Sequence, residues 1–533
     1  MDLTPPHLLS RGYFPSEELP PAFNTLELGK RFRKIDQYLA RISKDFMQAH
    51  KRSLYCKFSF PRRGFARRNF NIPNPLHFII LVKSIFKNRR SIERILSLSK
   101  YSIFLNDRLW KDWEEFKKER FIASQEYIFE LKTDISRYFP TIYTHIIPWV
   151  VHGKQKAKSQ QKNSRLWGNI VDMNVRNLQD GQTMGIPVGP HVSRIIAELI
   201  GCEIDRRLAK KFSRGTIQAF RWIDDYFFYF PEEQMGEEIL KTLQGILYEF
   251  NLEINHEKTS IVKFPFGFDL EPEWIIALRA FKFRKYIIEQ ENDIKDFFST
   301  ALNYAKTLPG EPIMKYALKK LRNTKINKAN WSYFESWLLK VMLYDPLTLP
   351  EILKIFLLNQ TRIDRSKIKR AVEKLIELSV RKRNNFEVAW GLWIAKSLKI
   401  TVDSNLIQQI FLSEDPVSIL VALDLVNSKL TMKPLTKEIG DLSRSIDGAS
   451  LYGDLWLLAY EGVLRGWLKP TDPDLLKHDE FFKILKANRI SFYDDQKQTY
   501  FVSPARPRMR LAKGAKPIKI SREQKIFFYR PGA

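Results

Sequence analysis

The chain has 533 residues, and its 88 Lys and Arg against 60 Asp and Glu give a formal net charge of +28. At 44% hydrophobic it holds ample material for buried cores, which excludes a wholly disordered chain. The charge points to polyanions (DNA, RNA or nucleotide phosphates) ahead of an anionic membrane surface or a merely soluble basic exterior. Two cysteines, Cys56 and Cys202, leave no disulfide framework and no cysteine-based zinc site, which suits a reducing cytoplasm.

Met1 to Pro21 lacks a basic start followed by an apolar core, so no signal peptide is expected. Leu26 to His50 reads as one amphipathic helix, and residues 1–60 as a helical lead. Phe60 to Pro75, rich in Pro and Arg, reads as extended or loop structure, and Leu76 to about Arg120 as helical. The most apolar runs, such as His77 to Phe86, are short and include Lys83, so neither a membrane-spanning helix nor a membrane partner is expected. Tyr127 to Lys132 has strand content. Lys154 to Arg165 is a basic insert, either a solvated loop or one that contacts phosphate. Beyond about residue 270 helical periodicity dominates without a strict repeat, as in Asn385 to Lys396 and Asp415 to Val426, and predicts an irregular helical array over 271–490. A basic, Pro-containing tail over 491–533 should be extended.

The strongest chemical signal is Phe220-Arg-Trp-Ile-Asp-Asp-Tyr-Phe-Phe-Tyr-Phe230. Two aromatic runs suit buried strands, with Asp224 and Asp225 at a tight turn between them. The pair either faces water or, because buried carboxylates need a positive partner, binds Mg²⁺. Asp134 ends the strand in Tyr127-Ile-Phe-Glu-Leu-Lys-Thr-Asp134, where it is either a helix cap or a third ligand for two metals about 4 Å apart. Gly181 to Ser193 is a Gly-Pro loop opening an amphipathic helix, where a nucleotide could approach the backbone. Lys258, just before a short strand, is a surface lysine or a phosphate-directed cation.

In this order the segments resemble the palm of reverse transcriptases. Leu131 to Pro140 looks like the first catalytic motif and Gly185 to Ser193 like the template- and nucleotide-facing loop. Trp222-Ile-Asp-Asp225 looks like the aromatic-x-Asp-Asp motif, and Leu252 to Thr259 resembles the lysine motif. Arg68-Asn-Phe-Asn-Ile-Pro73 is similar to the fingers segment whose arginine grips a triphosphate. The middle motif departs from the usual Pro-Gln-Gly, reading Pro187-Val188-Gly189. The resemblance implies an α+β fingers and palm (right-hand polymerase) over 61–270, followed by an all-α helical-repeat domain in place of an ordinary thumb. It implies that Asp134, Asp224 and Asp225, with the Ile135 carbonyl, bind two Mg²⁺, for which Mn²⁺ is a possible substitute. Arg68 would contact the triphosphate, Pro187 and Gly189 the template or dNTP, and Lys258 the region of the pyrophosphate, as a proton donor. Phe139 would be the steric gate against a ribose 2′-hydroxyl, the plain alternative being core packing.

Ile72 to Phe78, Thr141 to Lys154 and the run Ser193 to Glu198 further resemble bacterial abortive-infection and defence-associated enzymes, the unknown-group reverse transcriptases. That resemblance implies a cytoplasmic RNA-directed DNA polymerase in anti-phage defence, with dNTPs, a noncoding RNA and product DNA as partners and a homo-oligomeric assembly. Synthesis would be RNA-templated, or untemplated and primed from a protein hydroxyl. The alternatives are a conventional retron- or mobile-element-type enzyme and a catalytically silent nucleic-acid-binding scaffold.

Overall fold

A computed structural model describes residues 2–15, 18–62, 66–102, 113–212, 215–267 and 270–497. The expected basic tail lies outside the described residues from 498 onward. Among the described residues, strands are confined to the first half. β1 (Cys56–Pro61) and β2 (Arg67–Ile72) form an antiparallel hairpin paired from Cys56–Ile72 to Pro61–Arg67. β3 (Phe129–Asp134), β4 (Gln218–Trp222), β5 (Asp225–Phe230) and β6 (Ser260–Lys263) form a second antiparallel sheet in the order β4–β5–β3–β6. The α+β expectation for this half matches, as does the all-α expectation beyond it among the described residues.

β5 is buried at every position because both faces of its sheet are covered. Side chains alternate between the faces. Tyr226, Phe228 and Phe230 join the main core, to which the helices His191–Lys211 and Glu233–Glu249 contribute. Phe227 and Tyr229 join a second cluster with Phe266 and with Phe116 of the helix Trp113–Ala123. The strand expected at Tyr127 to Lys132 runs two residues later, because the Tyr127 N–H closes a turn onto the Ser124 carbonyl (2.9 Å). The single helix expected from Leu26 to His50 is three, Leu26–Lys30, Phe32–Leu39 and Lys44–Ala49. Ser43 starts the last by accepting from the Phe46 N–H, while its own N–H and hydroxyl donate to Glu480. The insert Lys154 to Arg165 opens with a helix, Lys154–Ser159, in which Lys154 and Lys158 lie over the Trp149 ring.

Three of the α-helices after residue 270 start on aspartate caps. Asp364, Asp403 and Asp415 each accept a backbone N–H from the first turn, and Pro416 follows Asp415 at the first helical position. Asn385–Ser397 packs between Arg365–Val380 and Pro416–Asn427, which is why Phe386 to Ala395 are all buried. No helix of the described residues is long and apolar enough to cross a membrane.

This array curls back onto the start of the chain. Arg67 of β2 forms a bidentate pair with Glu387, and the Ser59 N–H of β1 donates to Asn385. The Trp456 indole donates to the Ile72 carbonyl, and the Trp390 indole to that of Glu18. Phe23 and Tyr493 pair as an antiparallel bridge, flanked by bonds from Asn24 to Phe492 and from Asp494 to Ala22. Residues of the lead, the hairpin and the far helices therefore share one core.

Candidate active site

Aromatic strands β4 and β5 meet at a two-residue turn, Ile223-Asp224, so the acidic pair falls at one end of the sheet. Asp225 is the first residue of β5 and stands directly across from Asp134, the last of β3. Residues opposite each other in an antiparallel pair share a face. Both are buried, at 4% exposed for Asp134 and 8% for Asp225, while Asp224 at the turn is half-buried. Cross-bonds tie the motifs into one unit. The Ile135 N–H donates to the Asp224 carbonyl (3.1 Å), the Asn255 N–H to the Asp134 carbonyl (2.8 Å) and the Ser136 N–H to the Glu253 carbonyl (2.7 Å).

Lys258, in a short 3₁₀ turn after these residues, donates from Nζ to Asp134 Oδ2 at 2.6 Å. The other carboxylate oxygen, Asp134 Oδ1, is sealed from solvent and has no hydrogen-bond partner. A buried anionic oxygen with unused lone pairs is costly without a cation. Hard oxygen donors of this kind fit Mg²⁺. Among the described residues, however, no three His, Cys, Asp or Glu side chains are gathered closely enough to hold a metal ion. At Asp134 the Lys258 ammonium supplies the neighbouring positive charge.

Phe139 is half-buried against the core, and its carbonyl accepts from the Ile186 N–H (3.0 Å), so it lies beside the middle motif. In that loop Gly189 has φ +123°, a conformation L side chains rarely adopt, and an added Cβ would stand 3.3 Å from Phe70. Pro187 is buried. The Val188 carbonyl accepts from the Asn71 N–H of β2 (2.8 Å), which joins the loop to the hairpin. Arg68 stands on that hairpin opposite Phe60, on the strand face that also carries Phe70. The structure thus groups Asp134, Ile135, Asp224, Asp225 and Lys258 at the sheet end. It groups Phe139, Pro187 and Gly189 in an adjoining loop, and Arg68 on the hairpin bonded to it.

Sequence reasoning passed over a buried network behind the turn. Arg221 of β4 is fully buried and donates to both oxygens of Glu198 (2.7 and 2.9 Å) and of Asp205 (2.8 to 2.9 Å). It also donates to the Ile223 carbonyl (2.9 Å). Ser99 and Tyr226 donate to Asp205, and Ser102 to Glu198. Burial pushes the Asp205 carboxyl above its usual range, with Arg221 opposing. Glu198, Gly201, Cys202 and Asp205 are spaced i, i+3, i+4, i+7, one stripe of a helix. Two acids on the apolar stripe Ile195 to Leu208, with one Arg inside an aromatic strand, were the available signal. A second network serves the opposite face, where Arg120 donates to Glu130 (2.5 Å) and to the Tyr229 hydroxyl (2.7 Å) and stacks 3.6 Å over Phe227.

Residues 90–291, less than half of the chain, match the reverse transcriptase (RNA-dependent DNA polymerase) family. They form a reverse transcriptase domain. No curated protein matches the sequence. Among solved structures, similar ones include apo telomerase from Candida tropicalis truncated from its C-terminal domain, at 13% identity and TM-score 0.30, covering 43% of this chain and 55% of that one. Apo telomerase from the same organism is 12% identical with TM-score 0.29, over 66% of this chain and 65% of that one. Telomerase from Candida albicans, solved with a TWJ fragment of telomeric RNA, is 12% identical with TM-score 0.28, over 73% and 67%. The chain thus spans 55% and 65% of the length of the first two.

Proposed function

We propose that this protein, through its reverse transcriptase domain, joins dNTPs into DNA by two-metal phosphoryl transfer and serves bacterial anti-phage defence from the cytoplasm. The observation that carries the chemistry is the cross-strand pair Asp134–Asp225, with Asp224 at the adjoining turn and Asp134 Oδ1 buried without a partner. Once Lys258 leaves Asp134 and the three carboxylates draw closer, Asp134, Asp224 and Asp225, with the Ile135 carbonyl, would hold two Mg²⁺ or Mn²⁺. Such ions supply Lewis-acid polarisation of the α-phosphate and a more acidic attacking hydroxyl. The remaining work belongs to the chain. Arg68 meets the triphosphate, and the rigid backbone at Pro187 and Gly189 seats the nucleotide and template. Phe139 packs against the sugar edge and excludes a 2′-hydroxyl, favouring dNTPs. Lys258 leaves Asp134 and gives a proton to the departing pyrophosphate. Alignment of the hydroxyl with the α-phosphate lowers the barrier further.

Support for the defence role is the resemblance of the quoted segments to defence-associated enzymes, together with the helical array that follows the palm. In that setting the partners are a noncoding RNA and product DNA, the primer is a nucleic-acid end or a protein hydroxyl, and the assembly is a homo-oligomer. The Lys258–Asp134 ion pair favours a second reading, a silent nucleic-acid-binding scaffold. The two separate in one experiment. The protein is purified without stripping nucleic acid, supplied with dNTPs and Mg²⁺, and its product sequenced beside Asp224→Asn/Asp225→Asn. DNA made by the native chain alone is the expected result. No synthesis, with phage resistance retained in the double variant, would establish the scaffold.

A further inference from the structure

The turn that carries the aspartates is built on an unfavourable residue. Ile223 has φ +59°, in the left-handed region. Two-residue hairpin turns place Gly, Asn or Asp at such positions, and a β-branched side chain there is an outlier. Strain of that kind persists only where surrounding contacts over-determine it. Here the contact is Arg221, whose Nη1 donates to the Ile223 carbonyl at 2.9 Å. The guanidinium is itself held from two sides by Glu198 and Asp205, and its own backbone N–H donates to the Tyr101 carbonyl (2.7 Å). It cannot turn away.

The helix behind is shaped for this group. A Cβ at Gly201 would stand 2.5 Å from the Arg221 Cζ, inside any tolerable contact, so glycine opens the space the guanidinium fills. Tyr226, immediately after Asp225, donates its hydroxyl to the same Asp205 (3.1 Å). The turn is thus gripped before and after the two aspartates by one buried anchor on the helix His191–Lys211.

We infer that Arg221 is a positioning residue: it holds Ile223 left-handed and so aims Asp224 and Asp225 at the face shared with Asp134. This rests on the polymerase reading of those aspartates. The structural half, a coupling between Arg221 and the backbone at 223, does not.

The test is a cycle of Arg221→Lys, Ile223→Gly and the double variant in the full chain. Lysine keeps the charge but loses the fork that reaches Glu198, Asp205 and Ile223 together. Glycine takes the left-handed conformation without strain. Relieving about 1–3 kcal/mol of backbone strain corresponds to roughly 5- to 150-fold. Arg221→Lys should lower kcat by about 30-fold or more with the dNTP KM within about threefold, and weaken Mn²⁺ binding to the nucleotide-free protein about tenfold. In the Ile223→Gly background both losses should shrink by about tenfold. Equal losses in the two backgrounds would overturn the inference and make Arg221 a packing residue only. If Arg221→Lys does not fold, Glu198→Gln, which retains the shape of the clamp, takes its place in the same cycle. Absence of synthesis by the native chain would remove the polymerase reading, while a background-dependent Mn²⁺ affinity would still uphold the coupling.

Discussion

Replacing Glu387 by Gln should loosen the β1–β2 hairpin without unfolding the helices that hold it. Arg67 Nη1 and Nη2 reach the two Glu387 oxygens at 2.7 Å each, and the carboxylate side chain is 4% exposed against 25% for the arginine. Removing one partner of a buried pair costs about 3–5 kcal/mol, because the other charge is left uncompensated. Arg67 is partly reached by water and keeps bonds to the Ser59 hydroxyl (2.5 Å) and carbonyl (3.1 Å), so about 2 kcal/mol is the better figure here. The Asn385 bond to Ser59 and the edge-on contact of Phe386 with Phe60 remain, which keeps the hairpin attached. The change should therefore appear as local opening. Amide exchange in Lys57 to Phe60 and Arg68 to Asn71 should accelerate about 30-fold, the factor equivalent to about 2 kcal/mol. The Arg67→Met/Glu387→Met pair removes both charges and should restore protection to within about threefold of native. Exchange in Glu387→Gln within twofold of native, or a double variant that opens faster than either single one, would refute this account.

Two further outcomes follow from the same geometry. Lys258→Met removes the ammonium that competes at Asp134, so Mn²⁺ should bind the nucleotide-free protein about threefold to tenfold more tightly while synthesis slows. Unchanged affinity, read by paramagnetic resonance, would contradict the proposed exchange of lysine for metal. Acid stability should turn on the buried His77 and Glu461 and the half-buried His191. Burial lowers His77 to about 4 and His191 to about 3, and raises Glu461 to about 7. A histidine depressed below its unfolded value contributes stability that is full above about pH 6.5 and lost as pH falls. A carboxyl raised above its unfolded value works in the opposite sense, binding more protons when folded and gaining stability from pH 7 down to about 4.5. Between pH 7.5 and 5.5 the histidines together lose about 3 kcal/mol and Glu461 returns about 2. Glu461→Gln should therefore steepen the acid loss by about 2 kcal/mol in thermal or urea unfolding, and an unchanged slope would count against the assignment.

What the sequence disclosed is what local chemistry dictates. Trp222 to Asp225 between aromatic runs announces a hairpin, and the spacing after residue 270 announces helices, because periodicity and turn chemistry act over a few residues. Asp134 was legible as a strand end, although β3 runs two residues later than the pattern suggests. The left-handed Ile223 was not legible, since its side chain argues against that conformation and the Arg221 guanidinium that bonds its carbonyl is placed by tertiary contacts. Nor was the union of hairpin and helices. Arg67 and Glu387 lie 320 residues apart, and nothing in either neighbourhood marks the other as its partner. The second break in the expected helix at Leu26 to His50, before Lys44, has the same origin, in that Ser43 answers to Glu480.

The bridge between Phe23 and Tyr493 also sets a clock on biogenesis. At ribosomal rates of about 5–20 residues per second, roughly half a minute to a minute and a half separates synthesis of one partner from the other. Throughout that interval Tyr13, Phe14 and Phe23, all buried in the finished fold, lack the partners Phe492 and Tyr493 that complete their packing. The hairpin likewise waits for Glu387 and Trp456. In a nascent chain of this kind the lead and the hairpin stay unfinished while the far helices are being made, and they gain their full framework only when translation has passed residue 493.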